Sequence, residues 1–341
     1  MSANNAIKLQ LLLDTKTLER CPFPVPTGWF FVDYSDSLEP GAIRNVNLLD
    51  QEWVLFRTES GKAGLSDPYC PHLGAHLGHG GKVVGETIRC TFHHWAYDTE
   101  GFCKSVPYAK VMPPVCKKQP ILRTLPVQEK YGLIWAWYHP QAEDPQWELP
   151  TIPEMEDPEF TTYVKPRRGK WSVNTAIQEI AENGVDFAHL KFLHGEKEMP
   201  SAEYKFEGHN LYSVMKDGYI EGHQCGPGLA IFRFKHEGVA ATMVSYSVPI
   251  TREKTAMNMS FTHKRYPEGT KEAMIAQHLV NHMIGEAKGE ESAGFESVDF
   301  IVWNNKKYRP KPLLCDGDGP ILKYRQWFKQ FYPGWEASEK I

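Results

Sequence analysis

The stretch from Cys70 to Gly101 reads CPHLGAHLGHGGKVVGETIRCTFHHWAYDTEG. It contains two short loops, each with one thiol and one imidazole: Cys70-x-His72, then seventeen residues, then Cys90-x-x-His93. Two thiolates and two imidazoles on facing loops suit either a structural zinc ion or a [2Fe–2S] cluster in which imidazoles replace thiolates on one iron. A zinc finger of that ligand set pairs Cys with Cys and His with His. Here each loop carries one of each, so the spacing favours the cluster. A lone cysteine or histidine would mean nothing of the kind, but four residues at both spacings do. Gly74, Gly78, Gly80 and Gly81 suit loops that need left-handed or crowded backbone, and Trp95 and Tyr97 are placed to wall the site off. His76, His79 and His94 fall outside the spacing and read as surface or neighbouring groups. Such a centre relays single electrons, and so needs a destination.

Outward from this stretch, residues from Pro24 to about His139 form short apolar or alternating runs, among them Trp53–Phe56, Thr87–Cys90 and Leu133–Tyr138. Gly, Pro, Asp and Ser separate them, the pattern of a small antiparallel β domain. His139–Pro158, with several prolines and acidic residues, reads as a linker, so the expected domains are 1–150 and 151–341. Beyond it, apolar residues recur at helical intervals over Asn174–Leu193. Strand-like runs follow around Tyr212–Ile220, Leu229–Phe234, Ala241–Val248 and Met257–Thr262. A long helical pattern then covers Lys271–Trp303, interrupted near Gly289–Gly294. The second half is thus expected to be α+β, an antiparallel sheet with a few long helices.

A destination for the electron lies on the expected helix, in EIAENGVDFAHLKFLHGE. Asp186 and His189 are three apart and share a helical face with Glu182. His194 would point about 140° away from His189 on an unbroken helix, so the helix must end or distort before both can meet one metal. Two imidazoles and one carboxylate on one side of Fe(II) leave positions open for dioxygen and substrate. Asp299 is the candidate carboxylate. Phe295, Val302 and Trp303 are its helical neighbours, and a carboxylate on an apolar face is costly unless paired or metal-bound. Glu296, flanked by Ser292 and Ala293, suits a solvated face.

The chain has 341 residues, 41% hydrophobic, 23% charged and 12% aromatic, with a formal charge of -4. Two folded domains are expected, and no basic field favours nucleic acid. The apolar run at Leu9–Leu13 is too short to span a bilayer, so the reading is a cytoplasmic protein without a membrane span. Seven scattered cysteines do not form a paired secreted framework. Cys21, Cys103, Cys116, Cys225 and Cys315 read as packed thiols.

Together these motifs resemble the α subunit of a Rieske non-heme iron oxygenase over essentially the full length, and within that family the steroid-acting branch: the oxygenase component of 3-ketosteroid 9α-hydroxylase and the Neverland-type cholesterol 7-desaturases. The similar stretches are CPHLGAHLGHGGKV, GLIWAWYHP and VDFIVWNNKKYRPKPLLCDGDGPILKYRQWFKQFYP. The resemblance implies an all-β Rieske domain followed by a helix-grip catalytic domain. It implies Cys70, His72, Cys90 and His93 as cluster ligands, and His189, His194 and Asp299 as ligands of mononuclear Fe(II). Asp186 would bridge the two centres, with Asn183 near the iron. A homotrimer is implied, in which Asp186 links a cluster histidine of one subunit to His189 of its neighbour. So is a separate reductase or ferredoxin delivering electrons from NAD(P)H. The expected reaction is dioxygen-dependent hydroxylation of a hydrophobic polycyclic substrate. Sterol desaturation, and mono-oxygenation or demethylation of an aromatic or alkaloid, are alternatives of the same chemistry. A Rieske electron-transfer protein is an alternative of another class.

Overall fold

The computed structural model of the chain describes residues 20–161, 168–195, 197–215, 218–284 and 298–335. Up to Tyr138 the strands are β1 (Gly28–Tyr34), β2 (Ile43–Leu48), β3 (Gln51–Arg57), β4 (Ala63–Ser66), β5 (Lys82–Val84), β6 (Thr87–Arg89), β7 (Ala96–Tyr97), β8 (Cys103–Ser105), β9 (Thr124–Leu125), β10 (Val127–Lys130) and β11 (Leu133–Tyr138). They pair as three antiparallel sheets in the spatial orders β1-β11-β10, β2-β3-β4-β9 and β5-β6-β7-β8. The strand expected over Thr87–Cys90 is shorter by one residue, since β6 stops at Arg89. The Cys90 amide donates to the Trp95 carbonyl (2.8 Å), curling the chain into a loop.

Strand β11, LIWAWY, is buried on both faces. Ile134, Ala136 and Tyr138 enter a core where Trp53, Leu55 and Leu65 meet Ile177, Val248 and Tyr324 of the second half, whereas Leu133, Trp135 and Trp137 pack with Ile231, Val244 and Tyr246. That explains an unbroken apolar run where a half-exposed strand would alternate. His139–Pro158 is therefore no free tether. Leu149 and Ile152 are buried in the same cluster, and Trp29 Nε1 donates to the Trp147 carbonyl at 2.7 Å.

The second half is built on a seven-stranded antiparallel sheet of β12 (Arg168–Val173), β13 (Ala202–Glu207), β14 (Asn210–Met215), β15 (Ile220–Cys225), β16 (Leu229–His236), β17 (Val239–Thr251) and β18 (Lys254–His263), in the order β12-β18-β17-β16-β15-β14-β13. The strand expected over Tyr212–Ile220 is in fact a hairpin. β14 ends at Met215 and Gly218 turns the chain with φ +72°, a conformation open to glycine. One face of the sheet meets the tryptophans of β1 and β11. The other is covered by α2 (Ile177–Ala181), α3 (Ala188–Phe192), α4 (Lys271–Ile284) and α5 (Asp299–Asn305), the short helix α1 (Pro114–Lys118) lying in the N-terminal domain. α6 (Ile321–Phe328) packs its buried Tyr324, Trp327 and Phe328 into the shared core.

Two helical expectations change. Asn174–Leu193 is not one helix: α2 tightens into a 3₁₀ turn at Glu182–Gly184, and α3 starts only at Ala188. Asn183, Gly184, Val185 and Asp186 are all poor helix formers, and Glu182 is pulled aside by Arg325 from α6 (2.6 Å). The pattern over Lys271–Trp303 yields α4 and α5 as separate helices. Its expected interruption at Gly289–Gly294 lies outside the described residues, as do Phe295 and Glu296.

Candidate metal centres and substrate pocket

Cys70 and Cys90 are buried in the core of the N-terminal domain, and the His72 and His93 rings lie 4.8 Å apart. Burial pushes the Cys70 thiol up, opposed by the Tyr97 hydroxyl at 3.1 Å and reinforced by the neighbouring Cys90. A buried Cys70 sulfur that resists ionisation beside the buried Cys90 sulfur, with two imidazoles opposite, is a donor set that fits an iron–sulfur centre, whose cationic metal would stabilise the thiolate. The His72 ring stacks on Trp95 at 4.6 Å, and Trp95 Nε1 donates to Tyr108, whose hydroxyl lies 3.4 Å from His72 Nε2. Tyr97 and Trp95 thus do wall the site. His94 is exposed, with φ +60°, and stands apart from this group. The loops also use glycine as expected: Gly74 takes φ +74°, and a Cβ on Gly81 would lie 2.1 Å from the Leu77 carbonyl oxygen.

In the second half, the helix break brings His189, His194 and Asp299 together, with one donor atom from each within 4.8 Å of the others. His189 is the second residue of α3 and His194 lies just past its end, where Gly195 (φ +80°) turns the chain away. Asp299 is the first residue of α5 and is 1% exposed. Its Oδ1 accepts from Asn183 Nδ2 at 3.2 Å, and Asn183 Oδ1 accepts from Trp303 Nε1 at 3.4 Å. Its Oδ2 is buried without a hydrogen bond, although His194 Nε2 is only 3.0 Å away. Close approach without hydrogen-bond alignment is what two ligands of one cation show, so an orphaned carboxylate oxygen facing two imidazoles fits a divalent metal.

The structure alters how Asp186 meets His189. They do not share a helical face; instead His189 Nδ1–H donates to the Asp186 main-chain carbonyl. A carbonyl only accepts, so Nδ1 holds the proton and Nε2 keeps its lone pair for a metal. The Asp186 side chain is half-buried and accepts no hydrogen bond from a described residue. Around Asp299 the apolar setting comes from Phe300 and Trp303, while Val302 is exposed. Cys21, Cys103, Cys116 and Cys225 are packed thiols as expected. Cys315 is exposed, in an irregular stretch before α6 that no periodic pattern marks.

Sequence reasoning missed the scaffold behind this site. Arg325 clasps the Glu182 carboxylate through Nε and Nη2, and Lys306 pairs with Glu179 at 3.0 Å. Burial pushes the Glu179 carboxyl up, against the pull of Lys306. Acidic residues inside the apolar stripe of α2 were the available signal. Beside the cluster loops, Glu52 lies 3.3 Å from a buried His76 Nε2, with His79 next to it.

His189, His194, Asn183 and Trp303 border a cavity of about 240 Å³ between the helices and the sheet. Its walls are mainly apolar, among them Ile177, Leu190, Phe232, Met243 and Met259. Metal donors at the edge of an apolar cavity are suited to holding a hydrophobic molecule against a reactive centre while water is excluded.

Comparison with known proteins gives concordant results. The Rieske [2Fe-2S] domain family matches residues 28–126, and the family described as 3-ketosteroid 9alpha-hydroxylase C-terminal domain matches residues 136–332. The cholesterol 7-desaturase of Caenorhabditis elegans is 32% identical, covering 93% of this chain and 78% of its own length. The oxygenase component of 3-ketosteroid-9-alpha-monooxygenase from Rhodococcus rhodochrous is 27% identical, covering 89% and 79%. Among solved structures, Pseudomonas putida CBB5 NdmA superposes with a TM-score of 0.68 at 19% identity over 88% of each chain, a likeness of fold.

Proposed function

The chain belongs to the Rieske non-heme iron oxygenases, in the branch of 3-ketosteroid 9α-hydroxylase and the cholesterol 7-desaturases, and from that premise we propose that it is the terminal component hydroxylating a hydrophobic, polycyclic, steroid-like substrate with dioxygen. The observation that carries this reading is the orphaned Asp299 Oδ2 facing His189 and His194 at the edge of an apolar cavity. His189, His194 and Asp299 would hold Fe(II), and Cys70, His72, Cys90 and His93 the [2Fe–2S] cluster. When bound, these centres supply single electrons and a metal with positions open to dioxygen and substrate. The chain's own residues do the rest. The Asp186 carbonyl fixes the His189 tautomer, Asn183 and Trp303 hold the Asp299 carboxylate in one orientation, and the cavity excludes water while it orients the substrate. Electrons come from NAD(P)H through a separate reductase or ferredoxin.

A homotrimer belongs to the same proposal. The Asp186 carboxylate accepts from no described residue of its own chain, which leaves it available to a cluster histidine of a neighbouring subunit. The division into domains 1–150 and 151–341 goes with it, as does a cytoplasmic location; no helix among the described residues is long and apolar enough to cross a membrane. Desaturation of a sterol is the second reading, favoured by identities to cholesterol 7-desaturases that reach 32%, where those to the 3-ketosteroid monooxygenase components reach 29%.

Turnover of a panel of steroids and sterols with a surrogate reductase, NAD(P)H and dioxygen, followed by mass spectrometry, tests this. Gain of one oxygen supports hydroxylation and loss of two hydrogens the second reading. Electron flow without modification of any polycyclic lipid would overturn both. Asp299→Ala should lose the mononuclear iron and all turnover while keeping the cluster's visible absorption. A variant still active would remove Asp299 from the site.

A further inference from the structure

The floor of the cavity is the helix-covered face of the seven-stranded sheet. There Gln224 of β15 stands among apolar side chains, in register with Leu211 and Ala230 on the adjoining strands. Gln224 is 8% exposed, and its Nε2 donates to the Gly226 carbonyl (3.2 Å) and towards the Tyr324 hydroxyl (3.5 Å). A main-chain carbonyl accepts but cannot donate, so the carboxamide nitrogen must face Gly226, and the amide cannot be turned the other way round. The oxygen, Oε1, accepts no hydrogen bond from a described residue and is not sealed in by protein. In a residue that lines the cavity, this oxygen is presented to whatever fills it.

Water can serve Oε1 in the free protein. An apolar ligand that expels the water strands it, unless the ligand brings a donor. A hydroxyl donates and a ketone does not. Ser213, Ser245 and Ser247 also line the cavity. Their hydroxyls can donate or accept, so they tolerate either oxygen and do not discriminate. Asn183 is engaged with Asp299 and Trp303, and His223 with Asn210, so the choice falls to Gln224. We propose that Gln224 makes this site select a polycyclic lipid bearing a hydroxyl over the same ring system bearing a ketone in its place. This rests on the reading of the cavity as a site for steroid-like substrates, and it names which of them the cavity takes.

The experiment uses the iron-loaded protein and three ligands that differ at one carbon: cholestanol, cholestanone and cholestane, delivered from cyclodextrin, with binding measured by equilibrium dialysis of the radiolabelled compounds. A stranded acceptor corresponds to about a tenfold loss of affinity or more, so cholestanol should bind at least about tenfold tighter than cholestanone. Gln224→Met, of similar length and without the acceptor, should bring that ratio close to one. Cholestanone binding as tightly as cholestanol to the unaltered protein overturns the assignment, while binding of both leaves the polycyclic reading standing. Retention of the preference by Gln224→Met overturns it as well. Binding of none of the three overturns the polycyclic reading, and this assignment with it.

Discussion

Tyr97 Oη lies 3.1 Å from Cys70 Sγ, and a hydroxyl beside a sulfur ligand favours the more negative, reduced state of a cluster. A hydrogen bond to a charged acceptor contributes about 1.5 kcal/mol, equivalent to roughly 60 mV for one electron. Tyr97→Phe should therefore lower the cluster midpoint by that order, read from a redox titration followed by electron paramagnetic resonance; an unchanged midpoint would mean the hydroxyl has no influence. His223 titrates in a different setting. Burial holds its imidazolium pKa down at about 4, and its Nε2–H donates to Asn210 Oδ1 at 2.8 Å. The unfolded chain protonates this ring near its ordinary value of about 6.5, while the folded chain resists until about 4. The unfolded state binds more protons across that interval, so stability falls as pH drops through it. His223→Gln should flatten that part of the curve of melting temperature against pH. Cys70, His72, Cys90 and His93 were legible in the sequence because their spacing is local. The Tyr97 hydroxyl and the His223 ring were not, since their partners are set by strand pairing.

The broken helix shows what element-scale reading could and could not reach. Spacing alone demanded that the helix end or distort between His189 and His194, and α3 does end there, at Phe192; the structure adds an earlier break at Glu182–Gly184. Beside the poor helix formers that follow it, Glu182 has a partner 143 residues away in sequence, Arg325 of α6. That pair is nearly buried, with side-chain exposures of 13% and 8%. Removing one partner of such a pair leaves a stranded charge and costs about 3 kcal/mol or more, whereas replacing both with apolar residues is far milder. Arg325→Met should lower the melting temperature and release mononuclear iron, and adding Glu182→Leu should recover most of the stability. If the double variant is no more stable than the single one, the ion pair is not what holds α2 in place. Periodicity located the strands well where they are long, as in β17 and β18, and failed at Tyr212–Ile220, where both arms of a hairpin have strand-like composition.

At the scale of the molecule, the order of an all-β domain before an α+β domain was legible from the change in pattern, but the packing of the two was not. The Asp186 carboxylate, unused within its own chain among the described residues, gives the proposed trimer a test. Asp186→Ala should bind both metals and assemble normally, yet transfer electrons between them about ten- to a hundredfold more slowly in single turnover, a magnitude of the order seen when a group that orients a metal ligand is removed. A variant transferring electrons at the normal rate would place the route elsewhere.

Strand β11 governs how this chain can be divided. Its odd-numbered side chains, Leu133, Trp135 and Trp137, pack against the catalytic sheet, and its even-numbered ones enter the core that both halves of the chain share. It is a party wall: neither room stands without it. Severed from the catalytic sheet, the first domain would turn a row of tryptophans to water, an invitation to aggregate. A chain of this design is bound to handle electrons and substrate as one inseparable body, and was never built as a portable electron carrier with a passenger attached.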